Sequence, residues 1–169
     1  LPELTIRALL LGVVLGALMT AANTYLGLYI GMTVSASIPA AVMSMLLLRT
    51  LFKDVNILEN NIVQTMTSAG ESLAAGVIFT MPALLVMGKE MDTLTTFIVA
   101  VLGGVMGTIF TITLRRVFIV EEALLYPEGI ACEEVLVAGE KGGSSLSVIL
   151  YALGLGALYG WMVKGFELT

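Results

Sequence analysis

A band of amide, hydroxyl and carboxyl side chains interrupts a long apolar stretch between residues 57 and 88. At 3.6 residues per helical turn the band forms two adjacent stripes. One stripe contains Asn60, Gln64, Thr67 and Glu71, and the next contains Asn61, Thr65, Ser68 and Ser72. Buried amides and carboxylates are costly when unpaired, so the band must face protein or a water-filled cavity rather than lipid.

The uncharged members of the band allow two interpretations. They could be hydrogen-bonding contacts between helices, each contributing roughly 0.6–2 kcal/mol. They could instead line a cavity that binds a polar substrate. Eight polar side chains in two adjacent stripes exceed what packing requires, so we predict a cavity lining. The predicted substrate-binding residues are Asn60, Asn61, Gln64, Thr67 and Ser68.

Glu71 is the only carboxylate in the middle of any apolar segment of the chain. Burial disfavours the charged form of a carboxyl group, so such a group can load and release a proton. Ionisable residues inside membrane helices are functional by default. We therefore predict that Glu71 takes part in proton coupling. The alternative is a structural carboxylate that bonds to a neighbouring helix.

The composition places the chain among membrane proteins. Of its 169 residues 58% are hydrophobic and 12% are charged, and the mean hydropathy is +1.01. Soluble domains have about 25% charged residues. The sequence has no His and one Cys, and it has no basic surface typical of nucleic-acid binding. It lacks the residue pairs of a nucleophilic or metal-dependent intramembrane enzyme, so we predict no catalytic site, no cofactor and no metal site.

The apolar runs predict an all-α polytopic protein of about five transmembrane helices, since ~20 residues span the bilayer core. The predicted spans cover residues 4–29, 34–52, 57–88, 93–114 and 144–166. The second run is short and contains Pro39 near its start, which favours a broken or re-entrant helix as an alternative. Asn23 and Ser37 lie on either side of the glycine-rich break before that run, and we predict both as possible pathway residues.

The acidic segment 117–143 is too charged to span the bilayer freely. Pro127 suits the first turn of a helix that we predict to end near Val137, with Glu128 at its positive end. Two arrangements remain open: a solvated cytoplasmic segment, or a re-entrant element whose Glu128 reaches the pathway. We predict a flexible loop over Gly139–Ser145.

Lysine and arginine counts predict a cytoplasmic N-terminus in the cell inner (plasma) membrane. With that orientation the cytoplasmic residues are Arg7, Arg49, Lys53, Arg115, Arg116 and Lys141, and the outside residues are Lys89 and Lys164. The chain starts without Met, and five spans is an odd number. We therefore predict a piece of a larger transporter, in contact with the remaining transmembrane helices and with lipid.

Three ordered motifs resemble signatures of the oligopeptide transporter superfamily, most closely its prokaryotic and yellow-stripe-like branch. The motifs are Thr33–Ala40, then Asn56–Thr65 followed by Ser68–Thr80, and finally Tyr126–Cys132. The resemblance implies proton-coupled uptake of small peptides or peptide-like metal chelates by a protein several times longer, of which this chain would be the N-terminal part. A passive channel or a structural membrane subunit is the alternative function, because the polar band alone would suit either.

Overall fold

The computed structural model describes residues 3–52, 54–90, 92–141 and 144–165. All regular elements in these ranges are helical, which confirms the predicted all-α class. The helices are α1 (Ile6–Ile30), α2 (Ser37–Leu51), α3 (Ile57–Val86), α4 (Thr93–Arg115, continued by a π-helical turn over Arg116–Glu121), α5 (Pro127–Lys141) and α6 (Ser144–Gly165).

Three of the described helices are long and apolar enough to cross a membrane: α1, α3, and α4 with its π-helical turn. α2 and the 147–163 part of α6 are shorter apolar helices. At 1.5 Å per residue, the 15 residues of α2 extend about 22 Å, which is less than the ~30 Å bilayer core. The second predicted span is therefore a short helix, in agreement with the broken or re-entrant alternative. The predicted end of the last span, residue 166, lies outside the described residues.

Two helices in the second half of the chain extend beyond the limits suggested by the sequence. Past Leu114, the end of the predicted fourth span, the chain stays helical to Glu121, where Arg116 Nε donates to Glu121 Oε1 at 3.0 Å across the π-helical turn. Charged side chains end an apolar run, but they do not end a helix. α5 continues past Val137 to Lys141, so the part of the predicted loop that precedes residue 142 is helical. Residues 142 and 143 lie outside the described ranges.

α1 and α3 pack against each other as parallel helices. Residue numbers along the contact rise together, from Arg7 beside Glu59 to Gly12 beside Met66. A Cβ atom placed on Gly12 would lie 2.8 Å from Met66 Sδ and 3.0 Å from Met66 Cβ, so the glycine permits the close approach. Farther along, Gly70 of α3 meets the Thr20 hydroxyl of α1 in the same way.

The short helix α2 returns the chain between these two parallel helices. The turn before it begins at Gly31, which adopts a left-handed φ of 80° and ends α1 at the predicted break. α2 runs antiparallel to α3, because Ser37 contacts Ser68 while Ser44 contacts Asn60.

α5 runs parallel to α2 and starts beside the middle of α3. The Cys132 thiol lies 3.9 Å from the Ser37 carbonyl, and Arg49 donates to the Glu140 carbonyl at 3.0 Å. α5 therefore begins level with the centre of a membrane-length helix and ends level with its start. This arrangement favours the re-entrant alternative for the acidic segment.

A candidate substrate cleft beside the third helix

An open cleft of about 830 Å³ lies between α3, the start of α2 and the first half of α5. Its polar lining residues are Ser37, Asn61, Gln64, Tyr126, Glu128 and Glu133. Ile57, Leu58 and Leu136 contribute apolar side chains to the wall. The cleft thus combines hydrogen-bonding groups with apolar surface, which is the usual character of a site for a small organic ligand.

Three helix segments meet at the cleft because side-chain hydrogen bonds join them. The Ser37 and Ser68 hydroxyl groups lie 3.0 Å apart and connect α2 to α3. The Ser35 hydroxyl donates to Glu128 Oε1 and connects the start of α2 to α5. Because Pro127 occupies the first position of α5, Glu128 lies in the first helical turn, where the helix dipole favours a negative charge.

The structure brings four predicted site residues together at the cleft: Ser37, Asn61, Gln64 and Glu128. Ser68 is partly buried and reaches the site through its bond to Ser37. These residues come from segments that are up to 91 positions apart, between Ser37 and Glu128. Sequence spacing alone therefore did not indicate that they meet.

Asn60 and Thr67 belong to the other side of α3 and do not line the cleft. Asn60 is buried and accepts a hydrogen bond from the Ser44 hydroxyl of α2. Thr67 is fully buried, and its hydroxyl donates to the Val63 carbonyl within α3 at 2.8 Å. α1 and α2 cover this stripe of α3, so both side chains lie in the packing between helices.

Asn23 is likewise separated from the cleft. Its buried carboxamide donates to the Val34 carbonyl at 2.6 Å and accepts from the Val34 N–H at 3.2 Å. This two-point contact holds the connection between α1 and α2 against the end of α1. The side chain therefore satisfies the backbone of a turn.

Glu71 is buried on the α1 side of α3, with 6% of its surface exposed. It makes no side-chain hydrogen bond or ion pair with another residue in the described ranges. The preceding residue, Gly70, packs on Thr20 of α1. The alternative interpretation is a structural carboxylate that bonds to a neighbouring helix. That interpretation requires a bonding partner for Glu71, and the described residues provide none.

The sequence analysis missed a buried ion pair at the start of α3. Glu59 is fully buried, and Arg7 of α1 donates to its two carboxylate oxygens at 2.8 and 2.7 Å. Thr5 also donates to Glu59, while Arg7 reaches the Asp54 carbonyl and lies 5.1 Å from the centre of the Phe52 ring. Arg7 therefore joins α1, α3 and the connection between α2 and α3. In the sequence Arg7 and Glu59 are visible only as charges near the starts of two apolar spans, and nothing in their spacing indicates that they pair.

In the described ranges, no group of three or more His, Cys, Asp or Glu side chains is arranged to hold a metal ion. The donor set of the cleft instead consists of hydroxyl, amide and carboxylate oxygens. These atoms can bind a polar organic ligand through hydrogen bonds and a positive group through charge.

The fold and the cleft define a polytopic helical membrane protein with a polar site set among apolar helices. The family model described as "OPT oligopeptide transporter protein" matches residues 3–168, and the chain belongs to this family. The chain is also 43% identical, over 129 residues, to a Haemophilus influenzae protein named "Putative oligopeptide transporter". The alignment covers 74% of this chain and 20% of that relative, so the chain matches about a fifth of the relative's length. No solved structure matches the chain.

Proposed function

We propose that this chain forms part of a proton-coupled secondary transporter for small peptides or peptide-like metal chelates. The observation that carries the proposal is the cleft itself, which places polar groups beside the middle of a membrane-length helix. Secondary transporters bind substrate near the membrane midplane, where short or broken helices meet. Here the short helix α2 and the re-entrant helix α5 start at that level.

In this proposal Asn61, Gln64 and Ser37 bind the substrate. Ser68 and Glu128 lie at the edge of the site that is nearest the middle of α3. Amide and hydroxyl groups both donate and accept hydrogen bonds, as a peptide backbone requires. Asn60 supports the site from behind through its bond to Ser44 of α2, and Thr67 is buried on the same side of α3 with its hydroxyl bonded inside the helix.

Glu71 is the proposed proton-coupling residue. The side chain is buried and has no described hydrogen-bond or ion-pair partner, and ionisable residues inside membrane helices are functional by default. Glu71 lies one residue beyond Gly70 and about one helical turn beyond Ser68, so proton loading there can alter the packing next to the substrate site.

We further propose a cytoplasmic N-terminus in the cell inner (plasma) membrane. Arg7, Arg49 and Lys141 lie at the same end of the helix bundle, whereas Lys89 follows the opposite end of α3. This distribution follows the positive-inside rule. Single-cysteine variants at Asp92 and Lys141 test the orientation with an impermeant thiol reagent on intact cells. Labelling at Lys141→Cys but not at Asp92→Cys would reverse it.

The function is tested with the full-length transporter reconstituted in lipid vesicles. Uptake of a dipeptide, a tetrapeptide and an iron chelate is measured with and without an inward proton gradient. Saturable, gradient-driven accumulation of at least one substrate supports the proposal. Linear flux without counterflow would instead support the passive channel.

Glu71→Gln separates coupling from binding in the same assay. The amide keeps the shape of the side chain but cannot titrate. We expect loss of gradient-driven accumulation, while substrate exchange across the membrane continues. Accumulation at the wild-type level with an unchanged pH profile would exclude Glu71 from coupling.

A further inference from the structure

The cleft carries negative charge without a positive counterpart in its described lining. Glu128 and Glu133 both line it from α5, and none of its lining residues is Lys or Arg. The two arginines nearest along the packed helices are engaged elsewhere. Arg7 binds Glu59, and Arg49 donates to the Glu140 carbonyl at the far end of α5.

The charge of the cleft is suited to an organic cation rather than to a bare metal ion. The described residues offer no cluster of three metal ligands. An ammonium group needs fewer charged ligands than a metal ion, because its N–H groups bond to one carboxylate and to neutral oxygen acceptors. The side-chain oxygens of Asn61 and Gln64 provide such acceptors on the wall formed by α3. The ring of Tyr126 adds a surface that attracts cations.

Glu128 is held in place for this role before any ligand arrives. Ser35 donates a hydrogen bond to Oε1, and the N-terminal turn of α5 stabilises the negative charge. Ile57, Leu58 and Leu136 lie on the apolar wall of the cleft, where uncharged side chains of a ligand can pack. The amino-terminal part of a short peptide suits such a cleft. Its positive ammonium group can meet Glu128, and its uncharged side chains can pack on the apolar wall.

We propose that the cleft selects substrates by a free α-ammonium group, which binds Glu128 together with the amide oxygens of Asn61 and Gln64. Glu133 adds negative potential at the entrance. The selection acts against peptides with a blocked amino terminus and against chelates of net negative charge. This inference rests on the proposed transport function and names the substrate class of the same site.

The test uses the full-length transporter in lipid vesicles and labelled alanyl-alanine as the transported probe. The competitors are unlabelled alanyl-alanine, its N-acetyl derivative and its C-terminal amide. We expect the N-acetyl derivative to compete at least about tenfold more weakly than alanyl-alanine. The C-terminal amide keeps the ammonium group, and we expect it to compete within about threefold of the parent peptide.

Glu128→Gln removes the charge and nearly keeps the shape. We expect a rise of at least about tenfold in KM for alanyl-alanine, and near-equal competition by the N-acetyl derivative. Glu134→Gln is the matched control, because Glu134 is exposed on the same helix and does not line the cleft. We expect the control to keep the wild-type KM.

Equal competition by the free and N-acetylated peptides in the wild type would overturn the inference and leave peptide transport intact. This measurement decides the question even if Glu128→Gln does not reach the membrane. A KM rise as large in Glu134→Gln as in Glu128→Gln would also overturn it. Failure of the wild type to take up any peptide saturably would instead contradict the proposed function.

Discussion

The two faces of α3 carry similar polar side chains and use them in opposite ways. Asn60 faces α2, is 4% exposed and bonds to Ser44, whereas the adjacent Asn61 is exposed on the cleft. Thr67 is fully buried opposite α1, while Gln64 remains partly exposed beside α5. The role of a polar residue here depends on the helix it faces rather than on its type.

The difference between the faces arises from the neighbouring helices. α1 presents small residues such as Gly12 and Gly16, so its backbone comes close to α3 and leaves no room for a ligand. α5 begins only at Pro127, half-way along α3, and leaves an open space beside Asn61. A packed face therefore holds the helix in place while the open face is available for binding.

The largest effect is expected from breaking the buried ion pair at the packed face. Arg7→Leu leaves the fully buried Glu59 carboxylate without its guanidinium partner and removes a contact that joins α1 to α3. Because an uncompensated buried charge is strongly destabilising, we expect the yield of folded protein to fall severalfold or more. Size-exclusion chromatography and thermal unfolding in detergent measure it. Glu134→Leu, at an exposed position of α5, is the control, and equal yields would show that the pair is dispensable.

A smaller loss is expected from a side chain inserted between α1 and α3. Gly12→Val would place its Cβ 2.8 Å from Met66 Sδ, so the two helices must separate or Met66 must move. Overpacking of this kind costs about 1–3 kcal/mol. Gly107→Val on α4 is the control, because no described atom lies within 4 Å of the added Cβ. Thermal unfolding of both variants should differ; equal melting temperatures would mean that the α1–α3 contact tolerates separation.

The helices could be predicted from sequence because apolar length and capping residues act locally. Asn56 accepts from the Glu59 N–H at 2.9 Å and caps α3, and Gly31 ends α1 at a position where the sequence breaks. The division of the polar band could not be predicted in this way. Adjacent stripes on one helix differ by only about 100° in direction, so the positions of α1, α2 and α5 decide which stripe is buried.

The Arg7–Glu59 pair shows the same limit. Each residue is visible in the sequence as an isolated charge near the start of an apolar span. Their pairing depends on the parallel packing of α1 and α3, which 52 intervening positions separate. The depth of α5 also depends on contacts with α2, since its acidic composition is compatible with a solvated segment.

The comparison between the faces is sharpened by a pair of alanine variants on α3. Asn60→Ala removes a buried hydrogen-bond partner of Ser44 and should lower the free energy of unfolding by about 1 kcal/mol without changing KM. Gln64→Ala should leave stability within about 0.5 kcal/mol and raise KM for substrate about fivefold. Unfolding and uptake are measured on both full-length variants. A KM rise of the same size in both would mean that the buried stripe also contacts substrate.

The smallest effect is expected at the start of α4. This helix has neither the closely packed face nor the cleft-lining face that α3 has. Gly103 and Gly107 have open space around them in the described structure, so the beginning of this helix depends on its own cap. Asp92 accepts hydrogen bonds from the Thr95 N–H and hydroxyl, both at 3.1 Å, and these bonds lower the pKa of the Asp92 carboxyl. Since the folded pKa lies below the unfolded one, the charge-dependent stabilisation is present above the unfolded value of about 3.9. It is lost as the pH falls through the folded pKa.

We expect Asp92→Ala to lower the melting temperature slightly at neutral pH, and the difference from wild type to shrink toward about pH 3. Asp92→Asn keeps the cap without a titrating group, so its difference from Asp92→Ala should stay constant over the same range. A difference between wild type and Asp92→Ala that does not change with pH would show that the carboxylate charge makes no contribution to this cap.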